Sequence, residues 1–497
     1  MKIKTSILSI LFASLLITSC YLDKGNYDYT EISDIKITGI DAAYSKISAV
    51  DTLKINPVVE SDYGDDMEYY WILFDAKLNA DTIGIGRNLE YFVSNNLGTY
   101  NLFFYAKSKA NGYYKHIVSK LNVGTIYTKG HYILKEDASG NTDMDLLLGD
   151  GRVVADILLN KHGNALQGKP RSMGLLYVKQ YIDPDLLTRT YGHCLGVITE
   201  SNKAKIYRAS DMRELFDRSN MFFEYREDIP YKFLTIAGAS LYLSSSGVTN
   251  VSASGSAGSG FFGFPTGLSG GSEYWAYSDY TSGLFYWDKE LSRIMWTNSS
   301  AIADVLYDNN YPTTNLTDYD PQFIGVSRGS VYSLFKTKSY PQKLVMYKIV
   351  ATSSWSLPYI GEVYDIDAAS KMNGATLFAV NQNSAELLYF VNSNKLYYYN
   401  PINKTEQEIS LPGIVAGETI TFIANRHYSL AQPYFDYLTV ATYNNGIYKV
   451  YMYNMVGGLP NGNPVVIGSG KGKVKETHFL GTYFDYIDLV MGYTYSR

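Results

Sequence analysis

A strand phrase recurring at nearly constant spacing sets the strongest limit on what this chain can fold into. The stretches QKLVMYKIV, NKLYYYNPINKTEQEISL and NNGIYKVYMYN each begin aliphatic then aromatic; Tyr347 to Tyr397 is 50 residues and Tyr397 to Tyr448 is 51. Upstream the same marker is irregular, with Tyr207 to Tyr242 at 35 residues, Tyr242 to Phe285 at 43 and Phe285 to Tyr347 at 62. A repeat of roughly 40 to 50 residues built from short antiparallel strands is the signature of a β-propeller, each blade a four-stranded sheet. Residues 125–497 at about 50 residues per repeat give about seven blades. Composition agrees: 48 Tyr, 21 Phe and 5 Trp in a chain that is 46% apolar and 18% charged suit pleated, half-buried surfaces. The C-terminal GTYFDYIDLVMGYTYSR is expected to complete a blade with strands near Tyr127 to Leu134. One helix is expected, at 211–217, capped by Ser210.

Residues 39–124 show strands at shorter intervals: DTLKINPVVE, EYYWILFD, GTYNLFFYAKS and YYKHIVSKLNV. Asn111-Gly112 between the last two is a strong hairpin signal. Trp71, flanked by apolar residues, is expected in the core of a small Ig-like β-sandwich.

The N-terminus reads as an export signal. Lys2 and Lys4 precede the apolar run ILSILFASLLI at 7–17, which is too short for the roughly 20 apolar residues of a membrane span. The segment Leu16-Ile17-Thr18-Ser19-Cys20 resembles the bacterial lipobox, whose cysteine is acylated, with palmitate-type chains, and becomes the new N-terminus. Each buried methylene contributes about 0.8 kcal/mol and two acyl chains anchor stably, so a lipidated Cys20 would hold the chain on a membrane. Residues 20–38, polar and tyrosine-rich, read as a tether. Cys194 is the only other cysteine, so no disulfide is expected once Cys20 carries lipid. Removing residues 1–19 moves the formal net charge from −5 to −7, and without a basic block nucleic acid is excluded as the expected partner.

The lipobox followed by CYLDKGNYDYTEISDIKITGI, DTLKINPVV, EYYWILF and GTYNLFFYAKS resembles the PKD-like lipoproteins of the Bacteroidota over roughly the first 125 residues. The resemblance implies a lipid-anchored, surface-exposed outer-membrane protein tied to a Sus-like uptake system, in which a TonB-dependent transporter and a SusD-like lipoprotein import oligosaccharides or peptides. It carries no catalytic motif. The expected architecture is therefore all-β: signal peptide 1–19, tether 20–38, PKD-like β-sandwich 39–124 and β-propeller 125–497.

Enzyme motifs are weak. Gly325-Val326-Ser327-Arg328-Gly329 matches a nucleophile elbow, yet an alternating strand follows where a helix is required. Gly258 to Gly263 fits G-x-G-x-x-G without a βαβ unit. Asn141, Asp143 and Asp145 have the spacing of a calcium loop, but Leu146 stands where Gly is needed, so a polar turn leading into a buried strand is expected. The six histidines never fall at zinc spacing. Neither metal nor cofactor is expected. The pairs Asp65 with Asp66, Asp318 with Asp320, and Asp365 with Asp367 could serve a glycoside hydrolase or lyase, although Asp also favours turns.

The best binding candidate is a region. Residues 252–272, SASGSAGSGFFGFPTGLSGGS, hold 7 Gly and 6 Ser among 21 residues, a loop composition. Phe261, Phe262 and Phe264 sit within it, and Trp275, Tyr277, Trp287 and Trp296 follow. Aromatic faces stack on sugars and anchor interfaces, although the tryptophans inside strand phrases also suit a blade core. The expected function is non-catalytic capture of an oligosaccharide or peptide, or accessory docking in an uptake complex. The rivals are a propeller hydrolase or lyase and a structural or adhesion role. Cys20→Ala should release the protein from the membrane fraction while leaving its melting temperature unchanged; retention by membranes would remove the lipid anchor from the scheme.

Overall fold

The computed structural model describes residues 34–61, 66–184, 187–236, 239–251, 260–266, 270–278, 283–297, 302–304, 316–327, 329–351, 358–428, 434–481 and 495–496. Cys20, residues 20–33 of the expected tether and Asp65 lie outside them, while Ile35–Thr38, expected in the tether, is a strand of the first unit with Ile35 buried in its core. The chain divides into two compact units that meet between Val123 and Gly124. No helix among the described residues is long and apolar enough to cross a membrane.

The first unit is built on a five-stranded sheet whose last four strands are antiparallel. In spatial order it runs Ala43–Ile47, Tyr114–Gly124, Gly98–Ser108, Met67–Phe74 and Ala80–Ile85. Two strand pairs, Ile35–Thr38 with Val58–Ser61 and Thr52–Ile55 with Leu89–Phe92, complete it. Period-two alternation sends Trp71, Leu73, Leu102, Phe104 and Leu121 to one face, where they share a core with Ile35, Leu53, Ile55 and Leu89 from the two pairs. Trp71 is fully buried against Phe104, ring centroids 4.5 Å apart. The Asn-Gly signal marks the hairpin between Gly98–Ser108 and Tyr114–Gly124, with Gly112 at φ +75° and its N–H donating to the Ser108 carbonyl.

Among the described residues of the second unit, seven antiparallel sheets follow one another along the chain. The first joins Val153–Val154, Thr142–Leu147 and Gly130–Glu136 to the distant Lys473–Leu480. The second is Pro170–Ile182, Arg189–Thr199, Ala204–Arg208 and Glu214–Asp217; the third Pro230–Ile236, Ala239–Ser244, Gly247–Asn250 and Pro265–Thr266. The fourth holds Trp275–Ser278, Gly283–Asp288, Arg293–Thr297 and Ile302–Asp304, with Tyr495–Ser496 paired to the free edge of Trp275–Ser278. The fifth is Tyr319–Ser327, Ser330–Thr337, Leu344–Val350 and Tyr359–Asp365; the sixth Leu377–Val380, Leu388–Asn392, Lys395–Asn400 and Thr405–Ile409. The seventh is Thr419–Tyr428, Phe435–Asn444 and Ile447–Val456, with Leu459–Pro460 and Val466–Lys471 both pairing to the last of these.

Each consecutive pair of sheets shares a hydrophobic core. Leu146 and Val197 meet between the first and second, Ile206 and Tyr242 between the second and third, and Leu241 and Tyr286 between the third and fourth. Trp287 and Phe335 join the fourth to the fifth, Tyr332 and Phe390 the fifth to the sixth, and Tyr389 and Leu438 the sixth to the seventh. Ile133, Leu147, Tyr448 and Val450 then join the seventh back to the first. Strands covered on both faces lose the in–out alternation of an open sheet. Gly283–Asp288 accordingly reads GLFYWD and is buried at every position.

Three expectations need correction. The segment expected to be helical at 211–217 is a turn and the strand Glu214–Asp217. Asp211 accepts from the Arg208 guanidinium at 2.9 and 2.6 Å and from the Arg213 N–H, which fixes a hairpin. A helix of the described residues, α1, occupies Ile157–His162 instead. Finally, the strand completing the first sheet is Lys473–Leu480, just before GTYFDYIDLVMGYTYSR; its partner, Gly130–Glu136, is the one expected.

Asp143 and Asp145 face inward. Asp143 accepts from the backbone N–H groups of Leu158 (2.8 Å) and Leu159 (3.2 Å), capping α1. Asp145 pairs with Lys135 at 2.6 Å and accepts from the Tyr448 hydroxyl at 2.6 Å, across the junction of the first and seventh sheets. Lys135 also reaches Asp156 at 2.7 Å. Lys135→Met should therefore strand the buried Asp145 charge and lower stability by about 3–5 kcal/mol, measured by chemical denaturation of the second unit; a change below 1 kcal/mol would show the pair to be dispensable.

Candidate functional site

The aromatic region separates into core and surface. Trp275 and Tyr277 are buried between the third and fourth sheets, and Trp287 and Trp296 between the fourth and fifth, where Trp287 lies 5.4 Å from Phe335. Phe262 is 0% exposed and touches Phe222, Phe233 and Tyr242 at 5.8–6.0 Å. These five side chains are packed between sheets and present no surface to a ligand. Their strands are covered on both sides, so the aromatic density seen in the sequence is core.

Phe264 is 66% exposed, and Phe261 is half-buried. Beside them stand residues not singled out in the sequence: Phe223 at 55% exposure and Tyr225 at 57%. Phe261 meets Phe223 edge-on at 5.5 Å, and the Arg226 guanidinium lies 5.8 Å from the Phe264 ring while donating to the Gly263 carbonyl at 2.6 Å. The available signal was MFFEYREDIP at 221–230, where exposed aromatics alternate with charges ahead of a proline.

The surface cluster is riveted from beneath. Phe222 and Phe262 form an isolated parallel bridge: Phe262 N–H donates to the Met221 carbonyl (2.8 Å) and Phe223 N–H to the Phe262 carbonyl (3.1 Å). Lys179, buried over the rings of Phe216 and Phe262 at 5.2 and 4.7 Å, donates to the Gly260 carbonyl at 2.7 Å. Burial lowers the Lys179 ammonium to about 8. Gly260 sits at φ +77°, and a Cβ there would fall 1.9 Å from the Gln180 carbonyl oxygen, so glycine is required. Residues 252–259 and 267–269 lie outside the described residues.

A second polar cluster lies where the first strands of several sheets converge. Lys232 pairs with Glu476 at 2.5 Å, donates to the Met173 carbonyl and sits 4.7 Å from the Trp275 ring; Glu476 in turn accepts from Met173 N–H at 2.9 Å. Burial opposes charge on Glu476, and Lys232 together with His478, 2.7 Å away, outweighs it, holding the carboxyl well below the usual range. Arg426 donates to the Thr477 carbonyl at 2.9 Å. Five sheets are tied here by groups that bond to one another, which is a structural arrangement.

Of the residues weighed for the rival enzyme reading, Ser327 and five of the six paired aspartates are described. Ser327 is fully buried, ends one strand and is followed by the strand Ser330–Thr337, with its hydroxyl 3.3 Å from the Ala385 carbonyl. Asp66 pairs with Lys109, Asp320 with Lys338 and Asp365 with Lys343; Asp318 is exposed, and Asp367 accepts from the Ala369 N–H in a turn. Among the described residues no three metal-capable side chains gather.

With the geometry in place, the class of the chain is nearly all-β with a PKD-like N-terminal part. The model of the PKD-like family matches residues 20–170, beginning at Cys20 and extending through α1 into the second unit. No curated protein matches. Among solved structures, a quinonprotein alcohol dehydrogenase-like protein from Bacteroides thetaiotaomicron is similar at 11% identity, covering 91% of this chain and 100% of its own, with a TM-score of 0.41. A dihydro-heme d1 dehydrogenase is similar at 9% identity over 71% of this chain and 76% of its own, TM-score 0.38. A Synechocystis apocarotenoid oxygenase mutant is similar at 9% over 70% and 94%, TM-score 0.36.

Protonation of the interior gives a measurable consequence. His131, packed against Phe435 and Phe479, is lowered from 6.5 to about 4 by burial, with the Arg426 charge adding to it. Its unfolded form therefore binds the proton first, and this contribution is present above pH 6.5 and lost as pH falls toward 4. The loss approaches ~3 kcal/mol at about 1.4 kcal/mol per unit. His131→Phe should flatten the fall in melting temperature between pH 6.5 and 4; an unaltered slope would assign it elsewhere.

Proposed function

We propose that the protein is a lipid-anchored, outer-membrane surface protein whose second unit, a seven-bladed β-propeller carried behind a PKD-type sandwich, captures a ligand without transforming it. It would act as an accessory of a TonB-dependent, Sus-like uptake complex, beside a transporter and a SusD-like lipoprotein. The seven-bladed reading is supported by the seven cores shared by consecutive sheets, the last between the seventh and first. The sandwich reading is supported by the core that Trp71 shares with the strand pairs. A family match beginning at Cys20 fits a mature chain that starts at a lipidated cysteine.

The observation that carries capture is the exposed cluster of Phe223, Tyr225 and Phe264 with Arg226, standing on a buried scaffold. Large aromatics held rigid at a surface offer contact area at little conformational cost, and an arginine among them supplies directed donors. Oligosaccharide and peptide both fit that chemistry. One member of each carboxylate pair of the rival hydrolase reading faces a surface lysine, Asp66 with Lys109, Asp320 with Lys338 and Asp365 with Lys343, which favours capture over hydrolysis.

The test presents the unlipidated chain with a defined mixture of neutral oligosaccharides and, separately, of tryptic peptides. One mixture should yield retained species of unchanged mass. Phe223→Ala with Phe264→Ala should weaken retention at least tenfold, about 1.4 kcal/mol, at an unchanged melting temperature. Shortened products would replace capture by hydrolysis, and retention indifferent to both substitutions would move the site elsewhere.

A further inference from the structure

The first unit has an open sheet face that the capture reading does not use. Trp71, Leu73, Leu102 and Phe104 turn toward the core, so the alternate residues of the same strands turn outward. Strand register arranges them in rows across four strands. One row is Ile85, Tyr70, Tyr105, His116, and the next is Thr82, Ile72, Phe103, Val118. The row beyond on one side begins with the facing pair Glu68 and Lys107; on the other, Phe74 faces Asn101, which faces Lys120. Lys120 donates to Asn101 Oδ1 at 2.6 Å. A band with no carboxylate or ammonium thus crosses the strands between two polar borders.

Rings form a continuous path over this band. Phe74 lies 5.0 Å from Phe103, Phe103 5.9 Å from Tyr105, Tyr105 5.3 Å from His116 and His116 6.3 Å from Tyr114. Phe103 and Tyr105 are within 14° of parallel, and His116 and Tyr114 within 28°. Tyr114 is exposed, as is Val118.

Size decides between occupants. Strands about 4.8 Å apart and residues of one face about 7 Å apart give, over the four rows that the rings cross, a face of roughly 14 by 21 Å. That is on the order of 300 Å², well below the roughly 800 Å² per partner of a stable protein interface. A narrow aromatic path edged by hydrogen-bonding groups matches a chain whose units have an apolar ring face and a hydroxylated rim. We propose that this face is a binding strip for an extended neutral polysaccharide, whose sugar rings lie on the Phe103, Tyr105 and His116 path while hydroxyls reach the Asn101, Lys120 and Glu68 borders. It stands independently of the ligand captured by the second unit.

Native affinity electrophoresis of the full unlipidated chain in gels containing hydroxyethyl cellulose, xylan, galactomannan or amylopectin tests the strip. At least one polysaccharide should retard the protein, and Phe103→Leu with Tyr105→Leu should cut the retardation at least tenfold. Leucine keeps apolar bulk and removes the flat ring, so a protein-docking face would tolerate the change and a sugar-stacking face would not. Tyr114→Leu with His116→Leu, at exposed positions, gives the same readout if the first pair disturbs folding. Phe223→Leu with Phe264→Leu should leave retardation intact, which separates this strip from the site on the second unit. Retardation by none of the four, or equal retardation of both strip variants, overturns the proposal. A dimer in sedimentation that the leucine variants dissociate would do the same, by assigning the face to a second copy.

Discussion

The ion pair of Lys232 with Glu476 is the constraint on which the second unit hangs. Its two members come from the third and first sheets, the Met173 backbone they share belongs to the second, and the Trp275 ring over which Lys232 sits belongs to the fourth. A buried charge pair is costly to desolvate and is favoured only where geometry and further hydrogen bonds are good. Here those further bonds are backbone groups of a third sheet, so the pair is satisfied only when the sheets stand in the right order. Hydrophobic burial between neighbouring sheets is non-directional. The polar junction is not, and it converts a set of stacked sheets into one register. Asp145, Lys135 and Tyr448 do the same at the junction of the seventh and first.

Much of this architecture could be seen in the sequence, and the irregularities have a physical origin. Tyr347, Tyr397 and Tyr448 lie on the third strands of three consecutive sheets, which is why their spacing holds at 50 and 51. Tyr207 is also on a third strand, whereas Tyr242 and Phe285 are on second strands. The shortened interval of 35 and the stretched interval of 62 are therefore changes of marker position, with the sheet order unbroken. The hairpin at Asn111-Gly112 and the core placement of Trp71 were legible because both are local: a turn needing positive φ, and a strand with apolar neighbours.

The site was legible only in part. Phe264 and Phe261 could be found from composition, but Phe262 between them belongs to the core, packed against Phe222, Phe233 and Tyr242, which come from other stretches of the chain. Phe223 and Tyr225 come to the same surface through a bridge between Phe222 and Phe262, a pairing of residues 40 apart in a loop that no periodicity announces. The helix expected at 211–217 failed for a similar reason. Asp211 had a partner in Arg208 that propensity does not see, and the hairpin it fixes overrode a weak helical preference.

The Lys473–Leu480 strand, paired with Gly130–Glu136, carries a consequence for the order of events in synthesis. The first unit is complete within its own stretch of chain and can form while the rest is still emerging. The second unit has no such freedom: its first sheet waits, short of one strand, until some three hundred and forty residues later the partner arrives. During that interval the edge of Gly130–Glu136 is open and several sheets stand ready to pair wrongly. The protein's most exposed moment is thus set by topology and falls just before Lys473–Leu480 is made.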